Sequence, residues 1–291
     1  MKVTMHRTIL HLDLDAFFCA VEELRDPSLR GKAFAVGGKP DQRGVVASCS
    51  YAARQFGVRS AMPMARALTL CPELIVISHH HGNYGEMSDK VMERLDNLSP
   101  VVEQISIDEA FVDISDIRDP AEVTARKIQM QVRTELDLPC SVGVASNKLV
   151  AKIATEVGKH SARGSGPPNA VTVVPAGKEE EFLAPLPVGM LWGVGPKTAS
   201  SLSDLGIKTI GDLAAWDEKD LVARFGEHGR EMARHARGIS DSTVVTEHEV
   251  KSISQETTFA RDVRDDKMLE TTLKELSAQV GRRLRRSDLT G

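Results

Sequence analysis

HLDLDAFFCAVEE, His11 to Glu23, sets the problem from which the fold is read. An apolar run from Thr8 to Leu14 has the composition of a β-strand, yet it carries Asp13, and Asp15 follows directly. Alternate residues of a strand share a face, so His11, Asp13 and Asp15 point one way and Leu10, Leu12 and Leu14 the other. The leucines account for burial; the aspartates need a different reason. Asp15 sits where an N-cap belongs, ahead of an amphipathic helix that ends near Arg25, before Asp26-Pro27.

Outward from this stretch, Ala33 to Val36 and Gly44 to Ser48 read as short strands around a Gly/Pro turn. Met87, Val91, Leu95 and Leu98 mark one face of a helix stopped by Pro100. VVEQISIDEAFVDIS, Val101 to Ser115, reads as strand, tight reversal and strand. Asp119-Pro120 opens a helix with Ile128, Val132 and Leu136 on one face; Ser141 to Ala145 is a strand and Asn147 to Gly158 a helix. Outside Ala16 to Ser78, the order β, α, β-β, α, β, α predicts an antiparallel-rich α+β sheet with helices on one face, and Ala16 to Ser78 reads as an insertion after the first strand. SARGSGPPN, Ser161 to Asn169, is a loop by composition. Leu191 to Gly238 reads as small glycine-punctuated helices, and Asp241 to Glu249 as a polar linker. Leu269, Leu273, Leu276, Val280 and Leu284 form a stripe that needs a sheet to cover it, from which we expect the sequence to be cut inside its last domain.

The 291 residues exceed one ordinary core, so several domains are expected. Hydrophobic residues at 41% and charged residues at 27% describe a globular chain, with no apolar run long enough to cross a bilayer and no signal-peptide pattern. The 4 cysteines are scattered without a CxxC pair, which suits a reducing cytoplasm better than disulfides or a zinc site. A net charge of −4 argues weakly against a nucleic-acid partner without excluding one, since local patches matter more than the sum. HHHG, His79 to Gly82, is read as a solvated loop, since adjacent histidines of one strand cannot aim at one ion.

A second acidic pair, Asp108-Glu109, lies in SIDEAF at the reversal between two strands. Carboxylates converging on strand ends are what hard divalent ions need, and two such ions can clamp an in-line phosphoryl displacement. Either motif alone has a bland reading: an N-cap with a solvated edge for DLD, a hairpin turn for SIDEAF.

LDLDAFFCAVEE, VVASCSYAARQFGVRSAMP, SIDEAFVDIS and GVASNKLVAKIATEVGK occur in this order and resemble the motif series of the Y-family translesion DNA polymerases. The resemblance implies a ferredoxin-like palm (1–15 and 79–175) with inserted fingers (16–78), a helix-hairpin-helix thumb (176–240), a linker (241–250) and an incomplete α/β little finger (251–291). It implies Asp13, Asp108 and Glu109 as catalytic, metal-binding carboxylates, with the Leu14 carbonyl as a further ligand, for two Mg²⁺ ions that activate the primer 3′-hydroxyl and hold the triphosphate. Asp15 takes a supporting place. Phe17 and Phe18 open the helix whose N–H groups favour phosphate, and Phe18 is the implied steric gate against ribose, whereas core packing is the better reading of Phe17. Tyr51, Arg54 and Lys159 match the triphosphate grip. After Lys159 the family pattern continues Pro, any residue, Gly; this chain has the longer HSARGSGPPN. Val45 and Ala47 fall in the strand that roofs the nascent base pair, where ordinary strand alternation is an equal reading.

LWGVGPKTASSLSDLGI, Leu191 to Ile207, carries the hGhG core of a helix-hairpin-helix, in which Gly193, Gly195 and Lys197 would meet DNA phosphates; a plain turn between helices is the alternative. Arg282, Arg283, Arg285 and Arg286 are either phosphate contacts or a solvated face. The implied partners are primer–template DNA and dNTPs, with a sliding clamp for a full-length protein, no membrane, a monomeric state and a cytoplasmic, nucleoid location. Competing functions are a non-catalytic DNA-binding scaffold of the same fold and a helix-hairpin-helix nuclease or glycosylase. The second lacks a Lys–Asp or His cluster near Leu191 to Gly238.

Overall fold

The computed structural model describes residues 7–162, 164, 166–247 and 249–289; parts of the expected SARGSGPPN loop and both chain ends lie outside the described residues. Along the chain come β1 (Ile9–Leu14), α1 (Phe17–Arg25), β2 (Phe34–Gly37), β3 (Val46–Cys49), α2 (Tyr51–Gln55), α3 (Met64–Leu70) and β4 (Ile75–Ile77). They are followed by α4 (His81–Leu98), β5 (Val102–Gln104), β6 (Glu109–Asp113), α5 (Ala121–Leu136), β7 (Cys140–Ala145), α6 (Lys148–Ser161) and β8 (Val171–Val173). The rest is helical: α7 (Glu179–Leu183), α8 (Pro196–Asp204), α9 (Ile210–Ala214), α10 (Glu218–Phe225), α11 (Glu227–Ala236) and α12 (Asp266–Arg286). No helix among the described residues is long and apolar enough to cross a membrane.

The chain divides into two units. The first joins the residues up to Arg25 with His81–Thr246. Its sheet has the order β5-β6-β1-β7-β8, with β1 antiparallel to both β6 and β7. The sequence β1-α4-β5-β6-α5-β7 in the spatial order β5-β6-β1-β7 is ferredoxin-like. β1 is buried along its whole length.

The expectation of helices on one face needs correcting. α4 and α5 pack on each other and take the leucine side, while α6 covers the side of His11 and Asp13. The reason lies in Gly143, opposite His11 on β7: a Cβ there would come 2.1 Å from the Ala151 carbonyl oxygen and 2.5 Å from the Thr155 nitrogen. Only glycine lets α6 lie this close to the sheet. Asn147 caps α6 by accepting from the Val150 N–H at 3.0 Å. One apolar core then runs from Phe111, Leu149 and Ile153 into Leu202, Ile210, Leu213 and Met232 of the helical segment, which makes the implied palm and thumb continuous.

The unit boundary falls after α1 because α1 packs on α4, with Phe17 and Val21 buried and the Tyr84 hydroxyl donating to Glu22 at 2.6 Å. HHHG is not wholly a loop, since α4 begins at His81. The start of the expected linker is tied to the same unit. Lys148 Nζ, paired with Glu103 at 2.6 Å, donates to the Thr243 carbonyl at 3.2 Å, and the Val245 N–H donates to Glu103 at 2.8 Å.

The second unit joins Asp26–His80 with the residues from Glu247 onward. Its sheet has the order β3-β2-β4, and its core gathers Ala35, Val46, Cys49, Ala53, Met64 and Ala67. The apolar stripe of α12 is not buried; Leu273 is 65% exposed, and no strand occurs among the described residues from 249 onward.

Candidate active site

Asp13 stands one residue from the end of β1, in register with Glu109 on β6 and Ser141 on β7. Residues in register across antiparallel strands face the same way, so the two acids meet on the α6 side of the sheet and share a hydrogen bond. The turn before β6 is fastened to β1 by the Leu14 N–H, which donates to the Asp108 carbonyl at 2.9 Å. In a regular ladder the Asp108 N–H would return a bond to the Leu14 carbonyl. It goes instead to Ser106 Oγ at 3.2 Å, which releases that carbonyl from the ladder. The Asp108 carboxylate accepts from Ser106 Oγ at 2.6 Å.

Charge at this point is balanced by α6. Lys159 Nζ lies 2.5 Å from Asp13 and Lys152 Nζ 2.7 Å from Glu109. Burial, the largest influence, and the hydrogen bond to Glu109 outweigh Lys159 and raise the Asp13 pKa from 3.8 to about 8. Burial raises Glu109 too, but the bonds from Asp13 and Lys152 overcome it and hold Glu109 below its usual range. At neutral pH the pair therefore shares one proton. Burial would lower Lys159, yet Asp13 raises it above the ordinary lysine value, so it stays charged.

His11 lies behind the pair. Its Nδ1 is 2.9 Å from Thr155 Oγ1, and its buried Nε2 has no hydrogen-bond partner among the described residues. Burial, then the Lys152 charge, pulls its pKa down to about 3, so the ring is neutral.

The donor set of two carboxylates, a neighbouring third and a released carbonyl is all oxygen, which suits a hard divalent cation. Among the described residues no three His, Cys, Asp or Glu side chains are drawn together as a group that could hold an ion, and Asp108 is bonded to Ser106. An ion taking Asp13 as a ligand must displace its proton. In the ion-free chain the raised pKa favours folding below about pH 4, and that contribution is lost as pH rises toward 8. Metal affinity runs the other way, rising by up to about tenfold per pH unit and levelling off above about 8. Calorimetric titration in two buffers of different ionisation enthalpy should show close to one proton released at pH 7; zero release contradicts the shared proton.

Asp15 lies two residues ahead of the first residue of α1. Its carboxylate accepts from Ser141 Oγ at 2.9 Å and from the Asn169 N–H at 3.0 Å, tying the end of β1 to β7 and to the loop before β8. Phe17 is buried, in keeping with packing. Phe18 is half-buried and stacks on Tyr84 with ring centroids 4.4 Å apart and planes at 20°. The sequence gives little warning of Tyr84, because it follows the histidine run read as a loop.

In the second unit, Tyr51 and Arg54 open and close one turn of α2, and the guanidinium lies 4.5 Å from the tyrosine ring centre. Ser50 caps α2 through the Ala53 N–H at 3.2 Å. Val45 is 49% exposed, just ahead of β3, and Ala47 is half-buried within it. In the helical segment, Gly193 has φ 96°, a conformation that favours glycine, and Gly195 precedes α8. Both glycines and Lys197 are exposed.

Three family matches tile this chain: the impB/mucB/samB family over residues 12–156, the helix-hairpin-helix motif of that family over 177–207, and its C-terminal domain over 250–291. A DNA polymerase IV of Listeria innocua is 41% identical over 281 residues, covering 96% of this chain and 77% of its own. The chain belongs to the Y family of DNA polymerases. Solved Y-family structures share the architecture. A Y-family DNA polymerase chimera superposes with a TM-score of 0.80 at 26% identity, covering 94% of this chain and 80% of its own. An insertion ternary complex of Dbh DNA polymerase gives 0.73 at 28%, covering 81% and 69%. The α+β architecture with a helix-hairpin-helix segment is thus the Y-family one.

Proposed function

We propose that this chain is a translesion DNA polymerase, joining a dNTP to a primer 3′-hydroxyl opposite a template, with Asp13, Asp108 and Glu109 as its catalytic carboxylates. The observation that carries the reading is the meeting of Asp13 and Glu109 at the ends of paired strands, with Asp108 on the turn fastened to β1. Family membership supports an enzyme acting on DNA and dNTPs with divalent-metal dependence. It also favours that reading over a non-catalytic scaffold.

A pair of Mg²⁺ ions, when bound, supplies an activated 3′-hydroxyl and neutralises charge on the triphosphate. The chain's own part is to hold and orient. Asp13, Asp108, Glu109 and the Leu14 carbonyl are the residues that would hold the ions, and binding at the Asp13–Glu109 pair would release the proton they share. Asp15 keeps the end of β1 in place through Ser141. The family resemblance assigns Tyr51 and Arg54, and likewise Lys159 and the Phe17 and Phe18 N–H groups at the start of α1, to triphosphate binding. Phe18, braced by Tyr84, would exclude a 2′-hydroxyl. Gly193, Gly195 and Lys197 would contact duplex phosphates. A sliding-clamp partner, a monomeric state and a cytoplasmic, nucleoid location complete the proposal. Primer extension with one dNTP at a time tests it: addition should follow the template base and require Mg²⁺. Addition that ignores the template, or none with any dNTP, contradicts it.

A further inference from the structure

Lys152 has two partners, and neither Lys152 nor the second partner is singled out by the sequence motifs. Its ammonium lies 2.7 Å from Glu109 Oε2 and 5.8 Å from the centre of the Trp192 ring. Trp192 belongs to the hairpin between Leu191 and Val194 in the same unit; its ring is 6.0 Å from that of Phe111, and the residue is 43% exposed. A half-exposed indole with one face toward an ammonium is an unusual element to find beside a pair of carboxylates.

The two lysines of α6 that reach the acids stand seven residues apart, about two helical turns, and so share a face. Lys159 has a use in the triphosphate grip. Lys152 has none in the proposed reaction, although it neutralises Glu109. A carboxylate that ligates a divalent ion holds an ammonium poorly, because the ion's charge repels the ammonium at close range. Lys152 must then leave Glu109, and the face of Trp192 is the cation-binding surface already next to it.

We infer that Lys152 is a resident counter-cation of Glu109 that a divalent ion displaces onto the face of Trp192, so that metal occupancy is linked to the hairpin of the helical segment. The inference rests on Glu109 being a metal ligand. Before an ion binds, Lys152 holds Glu109 in place and balances its charge. Once displaced, the charge moves to the residue immediately before Gly193, where the hairpin is assigned to DNA phosphate. Lys152 is thus a positioning residue that sets the ion concentration at which the site fills.

The chain has 2 tryptophans, so Trp216→Phe leaves Trp192 as the sole indole probe. In that background, without DNA or nucleotide, Mn²⁺ binding is followed by electron paramagnetic resonance and Mg²⁺ binding by Trp192 emission. Mg²⁺ should change the emission along a saturating curve. Lys152→Met should abolish that change and tighten Mn²⁺ binding by about three- to tenfold, as expected when a competing charged hydrogen bond is removed. Lys152→Arg should keep both properties near the parent. Unaltered Mn²⁺ affinity in Lys152→Met overturns the inference alone, provided Asp13→Asn still weakens binding. Mn²⁺ binding indifferent to Asp13→Asn and Glu109→Gln overturns the ligand assignment as well. Should Lys152→Met fail to fold, the parent decides: emission unchanged by saturating Mg²⁺ overturns the inference.

Discussion

Asp108→Ala is expected to abolish primer extension, lowering the single-turnover rate by on the order of 10³-fold or more. Losing one preorganised electrostatic contact to a transition state costs about 10² to 10³, and loss of a ligand shared by reacting groups costs at least as much. The fold should survive. Asp108 is tied to β1 through its backbone carbonyl, and its side chain meets only the Ser106 hydroxyl in the hydrogen bonds described. Circular dichroism and thermal unfolding close to the parent would therefore accompany the loss. Extension within about tenfold of the parent would remove Asp108 from the site.

Phe18→Ala is expected to raise ribonucleotide incorporation relative to deoxyribonucleotide by about 10- to 100-fold. Forcing an extra group against a well-packed ring costs about 1–3 kcal/mol, and that penalty is what the substitution removes. Tyr84 stacks against Phe18 with its hydroxyl anchored on Glu22, and as a gate Phe18 would be braced by that ring. Tyr84→Leu should therefore relax discrimination in the same direction by a smaller factor, while Tyr84→Phe, which keeps the ring, should stay nearer the parent. Competition assays with matched rNTP and dNTP measure all three. Unchanged sugar selection in Phe18→Ala would assign the gate to another residue.

The opening stretch shows how far the sequence could be read. Alternation placed Asp13 on one face and the leucines on the other, and the strand lies where that pattern puts it. The motif order carried the family, and with it the palm, the hairpin and the pairing of Asp13 with SIDEAF. What alternation could not show is what covers the polar face. That depends on Gly143 admitting α6, a close approach that no local pattern announces. The tie of the buried Asp15 carboxylate to Ser141 and the Asn169 N–H was hidden for a related reason, since both lie far away along the chain. The Lys152–Glu109 pair has no local signature, since it depends on the register of β6 against β1. Tyr51 and Arg54 were readable because their relation is local, one helical turn apart.

The account centres on Asp13, Asp108 and Glu109 acting together as ligands of divalent ions beside the incoming nucleotide. Anomalous diffraction from Mn²⁺ in crystals of the chain with primer–template and a non-hydrolysable dNTP tests this most directly. We predict manganese peaks about 2–2.3 Å from oxygens of all three carboxylates, with Lys152 withdrawn from Glu109. Manganese bound elsewhere, with Asp13 still hydrogen-bonded to Glu109 and the nucleotide seated apart from them, would contradict it.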